Sequence, residues 1–245
     1  MRFLSLALPF FLLTHAWANP LPKETKVLIL AVPENWNSTV TQLQAYRREN
    51  DRNSWTAITP SFGANLGRNG LAWGRGCHPP QEGPQKREGD KKSPAGMFRL
   101  GSVLYGSDNK SPISNWRYRM VTDRDLWIED PHSTNYNRHL ILSTHEEFPE
   151  NHLYDLMRQN DPAHALKIFI RHNAPPDVQP NAGSAIFFHL SRGLDHPTTG
   201  CTTLLREDFE NLFRKCNPKD HPLYVLLPQS AYLQWKSAWN LPETP

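Results

Sequence analysis

The chain of 245 residues has a formal net charge of +3, from 27 basic and 24 acidic side chains. This weak charge is scattered along the sequence, which argues against a nucleic-acid-binding surface. The 22 prolines and 13 glycines separate short apolar runs. This pattern predicts a mainly β protein with a few short helices.

The first eighteen residues have the features of a secretory signal peptide. Arg2 supplies the positive charge, residues 4–13 form an apolar segment, and Ala16-Trp17-Ala18 is a small-residue cleavage site. The apolar segment is shorter than the roughly 20 residues that a membrane span needs, and no later stretch is long enough. We therefore expect an exported protein without a membrane span, in which residues 19–245 form a single domain.

Short apolar or alternating runs predict most of the strands, and one of these runs is open to two interpretations. Residues 39–48 fit either a strand or a short helix, and Asn69-Gly70 predicts a hairpin. Residues 152–157 have a helical pattern, an amphipathic helix is predicted at 206–215, and a last helix is predicted at 231–239. The predicted strands are 27–32, 54–58, 97–101, 116–120, 125–128, 166–172, 186–190 and 223–227.

Residues 185–204 combine a buried strand, a histidine and a cysteine. The strand ends near His189, and a polar turn leads to Gly200 and Cys201. A thiol acts as a nucleophile when a neighbouring base takes its proton. We therefore interpret Cys201 as a candidate nucleophile and His189 as its base. The alternative is a small buried residue beside a structural histidine.

The surroundings of Cys201 fit this chemistry. A helix-like segment follows the cysteine, and a helix N-terminus lowers the pKa of a nearby thiol. Gly200 allows backbone amides to approach the sulfur, where they would hold an oxyanion. Ser191 is a candidate for fixing the tautomer of His189, and Asp195 is the other candidate.

Three further features bear on the site: a polar loop, the histidines and the cysteines. Residues 130–137, which include Tyr136, would either line a peptide groove or form a solvated turn. The histidines match no common metal motif, so we expect no metal and no cofactor. Export would allow two of the three cysteines to pair. If Cys201 is the free thiol, the bridge would join Cys77 and Cys216.

Two segments resemble the L,D-transpeptidase catalytic domain (YkuD) family. The sequence S-P-A-G-M-F at 93–98 is similar to the family's T-P-x-G-x-F segment. The stretch from His189 to Gly200-Cys201 is similar to the family's signature of a histidine followed by [Ser/Thr]-x-Gly-Cys. The resemblance covers residues 65–228. It implies a β-sandwich-like fold and an enzyme of the Gram-negative periplasm that acts on peptidoglycan stem peptides as donor and acceptor.

In that family the cysteine attacks the bond after meso-diaminopimelate in a donor tetrapeptide and releases D-alanine. The resulting thioester passes its acyl group to an amine. The resemblance implies that Cys201 is the nucleophile, His189 the base, and Gly200 with the Cys201 amide the oxyanion site. An L,D-carboxypeptidase or endopeptidase that uses water as acceptor is the alternative. A non-catalytic wall-binding domain is a third possibility.

The sequence departs from the family signature around the cysteine. Thr199 stands where the family has a histidine, and Thr202 and Thr203 replace a hydrophobic residue and an arginine. Arg192 or Arg206 would replace that arginine. The candidate substrate contacts are therefore Thr198, Thr199, Arg192, Arg206 and Tyr136.

Overall fold

A computed structural model of the protein describes residues 21–52, 54–149 and 155–244. The predicted signal peptide at 1–18 and residues 152–154 of the predicted helical segment at 152–157 lie outside these ranges. Residues 155–157 are described and are not helical, since Leu156 forms a β-bridge with Leu126. Within them, no helix has both the length and the apolar character needed to cross a membrane.

The described residues form thirteen strands and two α-helices, which confirms the prediction of a mainly β fold. A 3₁₀ turn at Pro162–His164 lies between two strands, and a second one at Pro218–Asp220 lies between a helix and the last strand. The elements are β1 (Val27–Ala31), β2 (Val40–Arg47), β3 (Thr56–Ala57), β4 (Phe62–Asn65), β5 (Leu71–Trp73), β6 (Ser93–Gly106), β7 (Arg117–Met120), β8 (Asp125–Trp127), β9 (His139–Ile141), β10 (Leu166–Ile170), β11 (Phe187–Leu190), β12 (Thr202–Leu204), α1 (Arg206–Lys215), β13 (Leu223–Leu226) and α2 (Gln229–Trp235).

Eight of these strands pair in a ring. The order is β1-β13-β6-β10-β11-β12-β4-β2, and β2 pairs in turn with β1. Within the ring, β1–β13 and β11–β12 are parallel and the other neighbours are antiparallel. Because side chains alternate along a strand, each strand presents one face to the main core and one to the outside of the ring.

The main core is apolar and is covered by α1. Strand β1 is buried along its whole length. Helix α1 buries Phe209, Leu212 and Phe213, and the Phe213 ring packs against Phe188 of β11 at a centroid distance of 5.4 Å. Acidic residues in the first turn of α1 and basic residues in its last turn suit the helix dipole. The prediction of a helix at 206–215 is confirmed.

A second, smaller cluster covers the other face of β10 and β11. Trp127 of β8 packs against Phe169 and Phe187, with ring centroids 4.4 Å and 4.8 Å away. Cys201 is packed against the same cluster. The cysteine therefore lies between the sheet and a second layer of structure.

Asp125 at the start of β8 anchors this second layer. Its carboxylate lies 2.8 Å from Nε2 of His139 on β9 and accepts a hydrogen bond from Arg119 Nε at 2.6 Å. Burial opposes ionisation of this carboxyl, but the hydrogen bonds from His139 and Arg119 prevail and hold its pKa well below the usual range.

Several local predictions need correction. Residues 39–48 are a strand, β2, and not a helix. The Asn69–Gly70 turn exists, but it joins β4 to β5, which pair with different strands, so the predicted hairpin was wrong. A turn signal fixes local chain reversal and leaves the partner of each strand open.

The segment directly after Cys201 is β12, and α1 begins only at Arg206. Two β-branched threonines and the parallel pairing with β11 favour the strand. The helix dipole therefore does not act on the thiol, since its effect is confined to the first turn.

Candidate active site

Cys201 reaches the site because β11 and β12 are parallel neighbours joined by a loop. Their register pairs Phe188 with Thr202 and His189 with Thr203. The loop thus returns the chain to the beginning of β11. Cys201 lies one residue before the first of these pairs, on the strand next to the one that carries His189.

The turn before Cys201 fixes the position of the cysteine. Gly200 has a φ of +141°, and a Cβ there would lie 2.9 Å from the Lys92 carbonyl oxygen and 3.1 Å from Ile186 Cδ1. Only glycine fits both this backbone conformation and this space. Thr198 Oγ1 accepts from the Gly200 N–H at 3.0 Å and donates to the Cys201 carbonyl at 2.7 Å.

Ser93 links this turn to the upstream segment. Its buried hydroxyl donates to the Gly200 carbonyl and accepts from the Gly67 N–H, both at 2.9 Å. The two segments that resemble the family in sequence therefore meet at one hydroxyl group.

A buried asparagine shapes the opposite side of the sulfur. The Cys201 thiol contacts the Ala185 carbonyl oxygen at 3.5 Å, and Ala185 has a positive φ of 51°. The Ala185 N–H donates to Asn137 Oδ1 at 3.0 Å, and Asn137 also donates to the carbonyls of His172 and Asn173. Residues 130–137 thus contribute to the site through a buried amide.

Burial keeps the Cys201 thiol protonated. It raises the pKa of the thiol to about 11, although the Phe187 N–H, which donates to Sγ at 3.4 Å, and the charge of Lys167 act in the opposite direction. Glu129 raises it further. The free thiol is therefore the resting form at neutral pH.

His189 is held as a neutral imidazole of defined tautomer. Its Nδ1 lies 3.1 Å from the Ala163 carbonyl oxygen and 2.9 Å from that of Leu190. Carbonyl oxygens only accept, so Nδ1 carries the proton and Nε2 is the basic nitrogen. Burial lowers the pKa of His189 to about 4. The ring stacks on His164 at a centroid distance of 4.6 Å.

The thiol and the imidazole line one cavity, but no hydrogen bond joins them among the described residues. The thiol points to the Ala185 carbonyl instead. Proton transfer to His189 therefore requires the thiol to turn away from Ala185. Hydrogen bonds of this kind often tighten only when a substrate is bound.

The backbone offers one free donor beside the sulfur. The Cys201 N–H has no acceptor among the described residues, whereas the Gly200 N–H is engaged by Thr198. The Cys201 amide is thus available to hold an oxyanion. The contribution of Gly200 is the conformation that presents this amide.

The cavity above the thiol has a volume of about 510 Å³ and a mixed charge. Of its cations, Lys86 pairs with Asp90 at 2.5 Å and Arg192 pairs with Asp161. The other two, Arg68 and Lys91, form no ion pair with the described residues.

Two glutamates provide the negative charge of the cavity. Glu88 accepts hydrogen bonds from Tyr136 Oη and, at 2.7 Å, from Ser184 Oγ. Glu129 is an exposed residue that lines the cavity, yet desolvation of its carboxyl, together with the charges of Glu88 and Asp155, raises its pKa to about 7.

The predicted contacts are only partly brought together. Thr199 and Arg192 line the cavity, as does Thr198, which also braces the turn. Tyr136 is buried behind Glu88 and does not line the cavity, so its predicted direct contact needs correction. Arg206 lies outside the cavity on α1, where it pairs with Glu210 at 3.5 Å.

Ser191 does not orient His189. Its hydroxyl is bonded to Gly193 and accepts from Asn65 Nδ2 at 2.8 Å. Ser191 lies one residue beyond the end of β11, where strand alternation no longer fixes the direction of a side chain. The carbonyls of Ala163 and Leu190 have the predicted role instead.

His164 and Lys167 were missed by the sequence analysis. No local pattern marks His164, which lies in the 3₁₀ turn that precedes β10. Lys167 is the one charged residue in the buried strand β10, Leu166–Ile170. A lysine inside an apolar run was the signal that would have found it.

All three cysteines are free thiols, so the predicted Cys77–Cys216 disulfide is not formed. Cys216 is fully buried at the end of α1, and Cys77 is half-buried. No cluster of potential metal ligands occurs among residues 21–52, 54–149 and 155–244.

A half-buried thiol, a neutral imidazole and a free amide around one cavity are the components of thiol-dependent acyl transfer. The family model for the L,D-transpeptidase catalytic domain (YkuD) matches residues 37–225. The chain therefore belongs to this family of enzymes that act on peptidoglycan. No curated protein and no solved structure matches the chain significantly.

Proposed function

We propose that the protein is a cysteine acyltransferase that cross-links or remodels peptidoglycan through stem peptides. The observation that carries the proposal is the shared cavity of the Cys201 thiol, the basic Nε2 of His189 and the unengaged Cys201 N–H. Membership of the family supplies the substrate class.

The first half-reaction forms a thioester. His189 Nε2 takes the thiol proton as Cys201 Sγ attacks the carbonyl carbon of the donor peptide. The resulting oxyanion accepts a hydrogen bond from the Cys201 N–H. When the tetrahedral intermediate collapses, the C–N bond breaks and the imidazolium returns its proton to the leaving amine.

The second half-reaction transfers the acyl group. An acceptor amine attacks the thioester carbonyl and gives a proton to His189 Nε2. The C–S bond breaks, and the thiolate recovers its proton from the imidazolium. Water in place of the amine would make the protein an L,D-carboxypeptidase or endopeptidase.

Arg68 and Lys91 are the proposed contacts of substrate carboxylates. Both line the cavity and neither is neutralised by an acidic side chain among the described residues. Arg192 is paired with Asp161 and is less available. Stem peptides carry carboxylates on diaminopimelate and on the terminal D-alanine, so a cationic rim suits them.

The test is incubation of the purified protein with tetrapeptide muropeptides, with products identified by mass spectrometry. Cross-linked dimers support transfer, whereas tripeptides alone support hydrolysis. Cys201→Ala should abolish either product and Cys216→Ser should retain it. An unchanged substrate mixture across donors would refute the enzymatic proposal.

We also propose that the protein acts outside the cytoplasm, in the periplasm of a Gram-negative bacterium. The support is the pattern of charge, apolar segment and cleavage site in residues 1–18. N-terminal sequencing of the mature protein should begin at Asn19. Recovery of the uncleaved chain from the cytoplasm would contradict this proposal.

A further inference from the structure

A buried lysine occupies the same row of the sheet as His189. The strand register pairs Lys167 of β10 with His189 of β11 and, on its other side, with Tyr105 of β6. The row continues from His189 to Thr203 of β12. Side chains in one row share a face, and directly opposite residues have Cβ atoms about 5 Å apart.

This lysine is isolated from solvent and forms no direct ion pair with an acidic side chain of the described residues. Its residue is 4% exposed, and Nζ donates to the Met157 carbonyl at 2.7 Å. Nζ also lies 5.8 Å from the centroid of the Phe187 ring. Lys167 forms no ion pair with a carboxylate of the described residues, and it does not line the cavity.

An unpaired buried cation is expensive unless a negative charge appears beside it. The residues around Lys167 indicate where that charge arises. Phe187, over whose ring Nζ lies, donates its N–H to Cys201 Sγ. The positive charge of Lys167 also opposes the protonation of Cys201 and of His189. The thiolate formed during catalysis would be its counter-charge.

We propose that Lys167 is a positioning residue whose positive charge stabilises the Cys201 thiolate while the proton moves to His189. The proposal rests on Cys201 being the nucleophile. It assigns to Lys167 no contact with the substrate, because Lys167 does not line the cavity.

The other charges near Lys167 determine the expected pH dependence. Glu129 favours its ammonium form, as does the thiolate of Cys201, while burial lowers its pKa to about 8. His164 and His189 are neutral near pH 7 because burial lowers the pKa of each. Tyr105, on the neighbouring strand, has a raised pKa from burial and is also neutral. The ammonium therefore prevails below about pH 8.

The test separates the charge of Lys167 from its hydrogen bond. Three variants are compared with the wild-type protein. Lys167→Met removes both charge and donor, Lys167→Gln keeps a donor for the Met157 carbonyl, and Lys167→Arg keeps the charge. The rate of alkylation by iodoacetamide is measured for Cys201 by peptide mass spectrometry across a pH series. Circular dichroism checks that each variant is folded.

Below about pH 8, where Lys167 of the wild type is an ammonium, we expect alkylation of Cys201 to be about tenfold slower in the Met and Gln variants than in the wild type. The difference should shrink at higher pH, because Lys167 of the wild type loses its charge there. Lys167→Arg should keep the wild-type rate below about pH 8. An unchanged rate in Lys167→Gln, or an equally slow rate in Lys167→Arg, in that pH range would overturn the proposal. If Lys167→Met fails to fold, the Gln and Arg variants decide the question.

The assay is independent of peptidoglycan. If the wild type is inactive but the Lys167 variants show the expected changes in the alkylation rate of Cys201, the proposed function is refuted and the role of Lys167 stands. If the wild type cross-links but the variants show unchanged alkylation rates, the proposed function stands and the role of Lys167 is refuted.

Discussion

Ser93→Ala is the substitution that best tests how the turn before Cys201 is held. The Ser93 hydroxyl is fully buried, donates to the Gly200 carbonyl and accepts from the Gly67 N–H. Removing it leaves one buried acceptor and one buried donor without partners. Each such group costs about 1–3 kcal/mol, so we expect a loss of about 2–4 kcal/mol in the free energy of unfolding.

The turn should also become less well defined, because the Gly200 carbonyl loses its anchor immediately before Cys201. We expect the midpoint of urea denaturation to fall and cross-linking activity to drop by about tenfold or more, as for other misplaced nucleophiles. Ser93→Thr is the matched control, since it retains the hydroxyl. Equal stability and activity of Ser93→Ala and the wild type would refute the reasoning.

Three further predictions concern other parts of the site. Gly200→Ala places a Cβ against the backbone at a positive φ. We expect the free energy of unfolding, measured by denaturation, to fall by about 1–3 kcal/mol and cross-linking activity to be lost. A fully active Ala variant would contradict this. The fold lowers the pKa of Asp125, so the ionised carboxylate stabilises the folded protein fully above the pKa of the unfolded state, and this stabilisation is lost as pH falls below about 4. Asp125→Asn should remove this acid-dependent loss of stability from denaturation measured across pH, and it removes the carboxylate partner of His139. Glu129→Gln should speed alkylation of Cys201 above about pH 7, where Glu129 is ionised, and leave the rate unchanged well below it; a uniform change at all pH values would argue against a charge effect.

The parts of the structure that the sequence predicted are those with strong local signals. Helix α1 was predicted to its exact residues because an apolar stripe coincides with a favourable charge order. The strands β1, β10 and β13 were predicted from apolar runs bounded by turn residues. The likeness of the 93–98 segment to the family located Ser93 without revealing its contact with Gly200.

The parts that were missed depend on pairing between distant strands. The predicted hairpin failed because β5 pairs with β6 and not with β4. The predicted helix after Cys201 failed because β11 accepts Thr202–Leu204 as a parallel neighbour. His164 enters the site by lining the cavity and by stacking on His189. Such contacts depend on which distant strands pair and in which register, and local sequence patterns do not determine this.

The pKa values of Cys201 and His189 determine how the proton must move. Burial raises the pKa of the Cys201 thiol and lowers that of His189, so burial favours the neutral pair over an ion pair formed before attack. Proton transfer should therefore accompany formation of the C–S bond. The profile of kcat/KM for muropeptides should fall as pH decreases through about 4, where His189 gains a proton, and should fall again above about pH 8, where Lys167 loses its charge. Thiolate absorbance in the ultraviolet at neutral pH would show that the ion pair exists beforehand. In that case the positive charge of Lys167 and the hydrogen bond from Phe187 would outweigh burial of the thiol.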